Sequence, residues 1–304
     1  MRHPLPPRVA LVGSTASGKS AVAMAVAREC GDVDLVSIDS MQVYRGMDIG
    51  TAKPSAAERA EIPHHLLDLV EATEDFTVAE FRIAYADAIE TIGALDRRAL
   101  LVGGTGLYHR VVIDDFDLPG QWPDVRAELE SEIDTARLHA RLVELDPNAA
   151  AKMEPTNRRR IVRALEVTIG SGRPFSSFGP GVDDYPHSDV AQIGLRWPRP
   201  VIAERIAARV RRMIDDGLVA EVEALAVRGL SRTATQALGY KEILDMLEGR
   251  IGQDEAIDTI ITRTRQFAVR QERWFRRDPR VRWIGIEHDP VAEAAAVVVE
   301  ALET

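Results

Sequence analysis

The sequence feature that most constrains the fold is the eight-residue segment GSTASGKS, which runs from Gly13 to Ser20. It follows the apolar run Val9 to Val12 and precedes Ala21 to Ala27, a stretch with strong helix potential. The pattern G-x-x-x-x-G-K-[ST] needs its glycines because the backbone must turn tightly and aim successive N–H groups at phosphate oxygens. Strand, glycine loop and helix in this order predict a phosphate cradle.

Each part of the cradle has a physical role. The helix that follows points the positive end of its dipole at the same anion, and Lys19 adds a mobile positive charge. The Ser20 hydroxyl is positioned to bind Mg²⁺, which makes Ser20 the predicted metal ligand. The predicted residues for binding a diphosphate or a nucleotide are Gly13, Ser14, Thr15, Ala16, Ser17, Gly18, Lys19 and Ser20.

Length and composition limit the class of protein. The 304 residues are 45% apolar and 28% charged, which is typical of a globular chain of one large or two modest domains. No apolar run has signal-peptide character or reaches the ~18 residues that span a bilayer, and the single cysteine fits a reducing compartment. We therefore expect a cytoplasmic protein without a membrane partner. Separately, we expect a monomer.

The net charge of −10 argues against a non-specific nucleic-acid coat, whose affinity would come largely from neutralising phosphates. The arginines are nevertheless clustered, in residues 158–163, 205–212 and 263–282. These clusters can form local phosphate-binding faces on an acidic body.

The chain beyond the cradle alternates strand and helix patterns before it changes character. Leu35 to Ile38 and Ala99 to Val102 read as buried parallel strands, and the helical spacing of Thr77 to Leu95 supplies the crossover between them. From Pro119 the pattern is helical, and a loop or hinge rich in Gly, Pro and Ser, Gly170 to His187, closes this part.

Strand patterns then return at Ala191 to Trp197 and Val281 to Ile286, with helices between them. We predict an α/β fold in which residues 1–118 and 189–304 form a P-loop NTPase-like parallel sheet core. Residues 119–188 are predicted to form a helical insertion domain.

Two residues at strand ends are candidates for chemistry. Ligands of such sheets sit beyond the carboxyl ends of the strands, so the cradle, Asp39 and Thr105 are expected to converge on one site. Asp39 fits a general base, a metal ligand or a turn cap. Thr105, between glycines, fits either an uncrowded contact to a phosphate or an attacked atom, or an ordinary turn residue.

Arg209 interrupts an apolar helix face. A helix beginning near Ile202 places it among Ile202, Ile206 and Met213. Burying an unpaired guanidinium is costly, so Arg209 either extends to solvent or meets an anion, and the cradle favours the anion. Arg205 and Arg212 flank that face and could widen the basic patch, although solvated surface is their default interpretation.

Three further clusters leave alternatives open. Arg158 to Arg160 with Arg163 fit a solvated face, but they open a helix whose dipole they oppose, which favours a phosphate partner. The arginines around Trp274 and Phe275 fit either nucleic acid or core packing of the aromatic rings. His64 and His65 lack metal-ligand spacing, so core or capping roles are expected.

Eight segments, in family order over nearly the whole chain, resemble the tRNA dimethylallyltransferases, also called tRNA isopentenyltransferases. They are GSTASGKS at Gly13, DSMQVYRGMDIGTAKP at Asp39, IPHHLLD at Ile62, GGTGLY at Gly103, RRRIVRALEV at Arg158, DDGLVAEV at Asp215, ALGYKE at Ala237 and RQFAVRQERWFRR at Arg265. One departure is Ser14, where the family usually has proline. The sequence has none of the cysteine-rich zinc-finger segments of some eukaryotic relatives, and in this it resembles the bacterial members of the family.

The resemblance implies transfer of a dimethylallyl group from dimethylallyl diphosphate to the exocyclic amine of the adenosine 3′ to the anticodon in tRNA. By the same resemblance Asp39 is the base on the amine, Thr105 and Arg209 are diphosphate and transition-state contacts, and the cradle holds the diphosphate with Mg²⁺. The residues that it implies for contact with the tRNA anticodon stem-loop are Asp39, Ser40, Met41, Gln42, Thr105, Arg126, Arg159, Arg160 and Arg163.

Two other functions compete with this one. A P-loop kinase of a small metabolite or nucleotide would need a second strand-end aspartate for Mg²⁺, but the third strand ends in Gly103, Gly104 and Thr105. A nucleotide-gated RNA-binding protein without chemistry gives Asp39 and Arg209 no clear purpose.

Overall fold

The computed structural model describes residues 7–114, 118–178 and 184–304. The chain divides into two compact units, which we call the core unit (Met1–Asp114 with His187–Thr304) and the insert (Asp115–Pro186). The sequence prediction placed the two boundaries of the insertion at 119 and 188.

The core unit contains a six-stranded parallel sheet in the order β4-β2-β6-β1-β7-β8 and a two-stranded parallel sheet of β3 and β5. The strands are β1 (Arg8–Gly13), β2 (Val33–Ile38), β3 (Tyr44–Arg45), β4 (His64–His65), β5 (Val70–Glu71), β6 (Arg98–Gly103), β7 (Ala191–Arg196) and β8 (Val281–Gly285). The predicted α/β fold with a parallel sheet is confirmed.

Helices cover both faces of the large sheet. In the core unit they are α1 (Lys19–Cys30), α2 (Ala56–Glu61), α3 (Val78–Ala94), α4 (Gly106–Ile113), α9 (Arg199–Asp215), α10 (Leu218–Arg228), α11 (Arg232–Thr235), α12 (Tyr240–Leu247), α13 (Gln253–Phe275) and α14 (Pro290–Glu303). The insert has its own helices, α5 (Pro123–Ser131), α6 (Thr135–Leu145), α7 (Pro147–Ala151) and α8 (Arg158–Ser171), followed by a 3₁₀ turn at Phe175–Ser177.

Alternation along β1 explains why the sheet has two apolar layers. Val9 and Leu11 belong to the cluster that includes residues of α1 and α14, whereas Ala10 belongs to the cluster that includes residues of α3, α9 and α10. Successive strand residues point to opposite faces, so a strand that is apolar at every position needs helices on both sides. Because helices cover both faces, the carboxyl ends of β1, β2 and β6 are where loops can form a site.

The insert has an apolar core of its own. Leu129 of α5, Leu142 of α6, and Ile161 and Leu165 of α8 are all buried in one cluster. Helix α8 continues to Ser171, so the predicted loop does not begin at Gly170 as expected but after the αL residue Gly172 (φ 70°). Residues 179–183 of that predicted loop lie outside the described residues.

No helix in residues 7–114, 118–178 or 184–304 combines the length and the apolar character that crossing a membrane requires.

Candidate active site

A cleft of about 970 Å³ lies at the carboxyl ends of β1, β2 and β6. The cradle lines it from Thr15 to Ser20, and Asp39 and Arg209 line it as well. Thr105 is next to the lining residue Gly104 and is hydrogen-bonded to Ser40, the neighbour of Asp39. The structure thus brings the cradle and the three predicted catalytic residues to one end of the sheet.

The glycine loop turns where the sequence requires it. Gly18 has φ 95°, a left-handed conformation that side-chain-bearing residues rarely adopt, and α1 begins there without a side-chain cap. The Lys19 Nζ donates to the carbonyl oxygens of Gly13 at 3.0 Å and Ser14 at 2.7 Å, while the buried Ser17 Oγ has no partner among the described residues. An uncapped helix start, a lysine and an unpartnered hydroxyl suit an anion.

The electrostatics of Lys19 point the same way. Burial, and secondarily the Arg209 guanidinium, lower the pKa of Lys19 to about 7, and the Asp39 carboxylate only partly opposes them. A pKa this low shows that neither water nor a nearby carboxylate fully stabilises the positive charge of Lys19. A phosphorylated ligand in the cradle supplies that compensation.

The Asp39 carboxylate uses one oxygen for the local fold. Its Oδ1 accepts a hydrogen bond from the Met41 N–H at 2.9 Å, which fixes the side chain in the turn after β2. Oδ2 makes no hydrogen bond within the described part of the chain. The turn-cap interpretation is thus correct for one oxygen, and the other is available for chemistry.

Thr105 joins the ends of β2 and β6. It is the N-cap of α4, but its hydroxyl does not cap that helix. The Oγ1 instead accepts from the Ser40 N–H at 3.2 Å and lies 3.4 Å from the Ser40 Oγ. Nearby, the Gln42 Nε2 donates to the Thr51 carbonyl at 3.1 Å and its Oε1 accepts from the Ser37 hydroxyl at 2.7 Å.

Arg209 is partly buried and makes no hydrogen bond or ion pair with any residue that the structure describes. Its neighbours Ile206 and Val210 are buried, as expected for an arginine that interrupts an apolar face. Burial lowers the pKa of Arg209, Asp39 opposes this effect and Arg212 adds to it. The guanidinium therefore lines the cleft as a cation that the Asp39 carboxylate compensates only in part.

The four predicted tRNA-contacting arginines of the insert fall into two pairs. Arg163 and Arg126 both reach the buried Glu166 carboxylate, at 3.0 and 3.4 Å. Arg159 and Arg160 are exposed, and no side-chain contact of theirs occurs among the described residues. The first pair is held in place, whereas the second is free to follow a flexible partner.

Three residues hold the glycine loop in a way that the sequence analysis did not predict. The Gln271 Oε1 accepts from the Thr15 N–H at 2.8 Å, and the Trp197 indole N–H donates to the Ser17 carbonyl at 2.9 Å. The Arg205 Nε donates to the Ala16 carbonyl at 2.9 Å, and its guanidinium lies 4.4 Å from the Trp197 ring centre. The default interpretation of Arg205 as solvated surface is wrong, because its Nε is bonded to a loop residue 189 positions away in the chain.

The structure also decides two of the open alternatives. Phe275 is buried, and Trp274 packs against its cluster, so core packing of these rings is correct. The His65 Nε2 pairs with the buried Asp34 carboxylate at 2.8 Å and the His64 Nδ1 lies 2.7 Å from the Ile62 carbonyl oxygen. The described residues contain no group of three or more His, Cys, Asp or Glu side chains arranged to hold a metal ion.

A parallel sheet with a glycine-rich cradle at the end of β1 defines a P-loop-like α/β protein. A protein-family model described as IPP transferase matches residues 42–278. The chain therefore belongs to the IPP transferase family, and this membership favours a transferase over a kinase or an RNA-binding protein without chemistry.

Similar proteins of this family cover nearly the whole chain. A tRNA dimethylallyltransferase of Kineococcus radiotolerans is 50% identical over 93% of this chain and 92% of the relative, and one of Streptomyces coelicolor is 48% identical over 92% and 91%. The crystal structure of a tRNA isopentenylpyrophosphate transferase from Bacillus halodurans matches with a TM-score of 0.70 and 39% identity, over 97% of this chain and 96% of that one.

Proposed function

We propose that this enzyme transfers a dimethylallyl group from dimethylallyl diphosphate to the N6 amine of the adenosine 3′-adjacent to the anticodon in tRNA, with release of diphosphate. The observation that supports the proposal is that three features line one cleft: the glycine-loop cradle, the Arg209 guanidinium, and the Asp39 carboxylate, of which only Oδ1 is hydrogen-bonded within the described residues. An anionic leaving group, its stabilising cations and a base are what such a transfer needs.

The diphosphate of the donor lies in the cradle from Gly13 to Ser20 in this proposal. The uncapped start of α1 offers N–H groups, and Lys19 and Arg209 offer positive charge whose own burial is unfavourable without an anion. The same two cations stabilise the negative charge that grows on the diphosphate as it departs.

We propose Mg²⁺ as the cofactor, held by the Ser20 hydroxyl. Ser20 is exposed and lines the cleft beside Lys19 and on the same cavity as Asp39. Mg²⁺ commonly takes one or two protein oxygens and completes its shell with phosphate oxygens and waters, so a site without a carboxylate cluster fits it. When bound, the ion neutralises charge on the diphosphate.

Chemistry at the acceptor is a displacement. The N6 lone pair forms the new N–C1 bond while the C1–O bond breaks and its electron pair leaves with the diphosphate. An aspartate is too weak a base to deprotonate a neutral adenine amine, but the nitrogen becomes acidic as the new bond forms, and the Asp39 Oδ2 then takes the proton. Thr105, tied to Ser40, positions the acceptor next to Asp39.

The tRNA is bound, in this proposal, by the residues after β2 and by the insert. Asp39, Ser40, Met41, Gln42 and Thr105 contact the acceptor nucleotide. Arg126 and Arg163, held by Glu166, contact the phosphates of the anticodon stem-loop, as do the exposed Arg159 and Arg160.

A labelled-transfer assay tests the proposal. Pure enzyme is incubated with Mg²⁺, labelled dimethylallyl diphosphate and unmodified tRNA, and parallel reactions measure ATP hydrolysis and phosphorylation of metabolites. We expect label in the tRNA at the adenosine beside the anticodon and release of one diphosphate per transfer. Phosphorylation without transfer would support the kinase instead, and tRNA binding without either reaction would support the RNA-binding protein.

A further inference from the structure

We propose that Gln271 is a positioning residue that sets the distance between the donor cradle and the acceptor loop, and the inference rests on the proposed transfer. Its carboxamide bridges the two loops. The Oε1 accepts from the Thr15 N–H of the cradle at 2.8 Å, and the Nε2 donates to the Gly104 carbonyl, next to Thr105, at 3.0 Å.

The orientation of this amide is dictated by its partners. A backbone N–H can only donate and a backbone carbonyl can only accept, so the Gln271 oxygen must face Thr15 and its nitrogen must face Gly104. Neither Asp nor Glu in ionised form, nor Lys or Arg, can make both bonds. The bridge therefore needs a neutral side chain that donates at one end and accepts at the other.

The packing leaves the bridge little freedom. Gln271 is 6% exposed and lies on the buried face of α13 between Ala268 and Phe275. A Cβ at Gly104 would overlap the Gln271 Nε2, so the loop approaches the amide as closely as glycine permits. Helix α13 thus serves as a rigid support that is separate from both loops.

The bridge joins the two halves of the proposed reaction. The cradle holds the leaving diphosphate, and the Gly104–Thr105 segment with Ser40 positions the acceptor amine near Asp39. In a displacement the nucleophile, the attacked carbon and the leaving oxygen must be aligned, and an error of about 1 Å can cost ~10²-fold in rate. Gln271 lines the cleft, but the Oε1 and the Nε2 of its amide are bonded to the two loops, so in this inference it acts through the loops and not on the donor or the acceptor.

The test compares Gln271→Met and Gln271→Glu with wild type. Gln271→Met keeps the length and loses both hydrogen bonds, so we expect kcat to fall ~10- to 100-fold while the KM for tRNA stays within about twofold. Gln271→Glu keeps only the acceptor when ionised. Because Gln271 is buried, a carboxyl at this position has its pKa raised toward neutrality. Its protonated form can also donate to the Gly104 carbonyl, so the kcat of Gln271→Glu divided by that of wild type should rise as pH falls from 8 to 6.

The matched control is Gln266→Met, the same change at an exposed position of the same helix. Melting temperatures separate positioning from stability, because a purely structural role would lower kcat only where the Tm falls enough to unfold part of the enzyme at the assay temperature, whereas a positioning role lowers kcat in the fully folded variants. Hydrogen exchange of the Thr15 amide gives a readout without catalysis, and we expect faster exchange in Gln271→Met.

Wild-type kcat in Gln271→Met, or a kcat ratio for Gln271→Glu that does not change with pH, would overturn the inference. Absence of transfer by the wild-type enzyme would instead overturn the proposed function, while the Thr15 exchange measurement would still report on the bridge.

Discussion

The cations of the cleft and those of the insert carry the same charge in opposite environments. Lys19 and Arg209 are partly buried in the wall of the cleft, and burial lowers the pKa of both side chains, whereas Arg159 and Arg160 are exposed. A buried cation lacks water and gains strongly from one anion in a fixed place. An exposed cation gains little from any one phosphate and is screened by salt. The cleft is thus suited to a small defined anion, and the exposed arginines to an extended polyanion.

The largest expected effect tests the carboxylate that shares the cleft with these cations. Asp39→Asn keeps the oxygen that accepts from Met41 but removes the proposed base, so turnover should fall by ~10² to 10⁴ while diphosphate and tRNA binding persist. Single-turnover transfer together with direct binding of donor and tRNA measures this. Turnover close to that of wild type would rule out Asp39 as the base.

The next effect concerns the buried cation of the cradle. Lys19→Ala should weaken donor binding and slow transfer together, by ~10- to 100-fold in kcat/KM, because its charge acts before and during diphosphate departure. Calorimetry with diphosphate and steady-state kinetics measure the two effects. The exposed Lys152 of the insert provides a control, and Lys152→Ala should leave both unchanged. A Lys19→Ala enzyme with altered tRNA affinity alone would mean that the cradle does not hold the donor.

The fold could be predicted from sequence because its signals are local. Continuous apolar runs indicated the buried strands, and G-x-x-x-x-G-K-S fixed the loop after β1. The cradle, Asp39, Thr105 and Arg209 were found because strand ends and helix periodicity reveal position within an element. The Gln271 and Trp197 contacts could not be found in this way, since they join residues 256 and 180 positions apart. A glutamine in an arginine-rich helix carries no local sign of such a partner.

A smaller effect is expected from the exposed pair of the insert. The double variant Arg159→Gln and Arg160→Gln should raise the KM for tRNA and flatten its salt dependence, since each lost phosphate contact removes up to ~0.7 to 0.9 from the logarithmic slope. Donor binding should hardly change. The control, Arg137→Gln with Arg141→Gln, removes the same charge from exposed positions of α6. A similar loss of slope in both double variants would attribute the effect to net charge and not to specific contacts.

The smallest effect is a proton taken up by Lys19. Because burial and Arg209 lower its pKa to about 7, Lys19 is largely neutral in the free enzyme at pH 8, and the diphosphate raises that pKa by favouring the charged form. Binding of diphosphate at pH 8 should therefore take up a proton, with an uptake approaching one, and this contribution should vanish near pH 6, where Lys19 is already charged. The sign follows from linkage: the affinity for diphosphate falls as pH rises above 7.

Calorimetry in buffers with different ionisation enthalpies measures the proton uptake. The diphosphate also titrates, and its contribution is removed by subtracting the result for Lys19→Arg, whose guanidinium stays charged throughout this range. An equal uptake in wild type and Lys19→Arg would show that Lys19 is already protonated in the free enzyme. The cations of the cleft and of the insert would then differ in the shape of their surroundings but not in their ionisation.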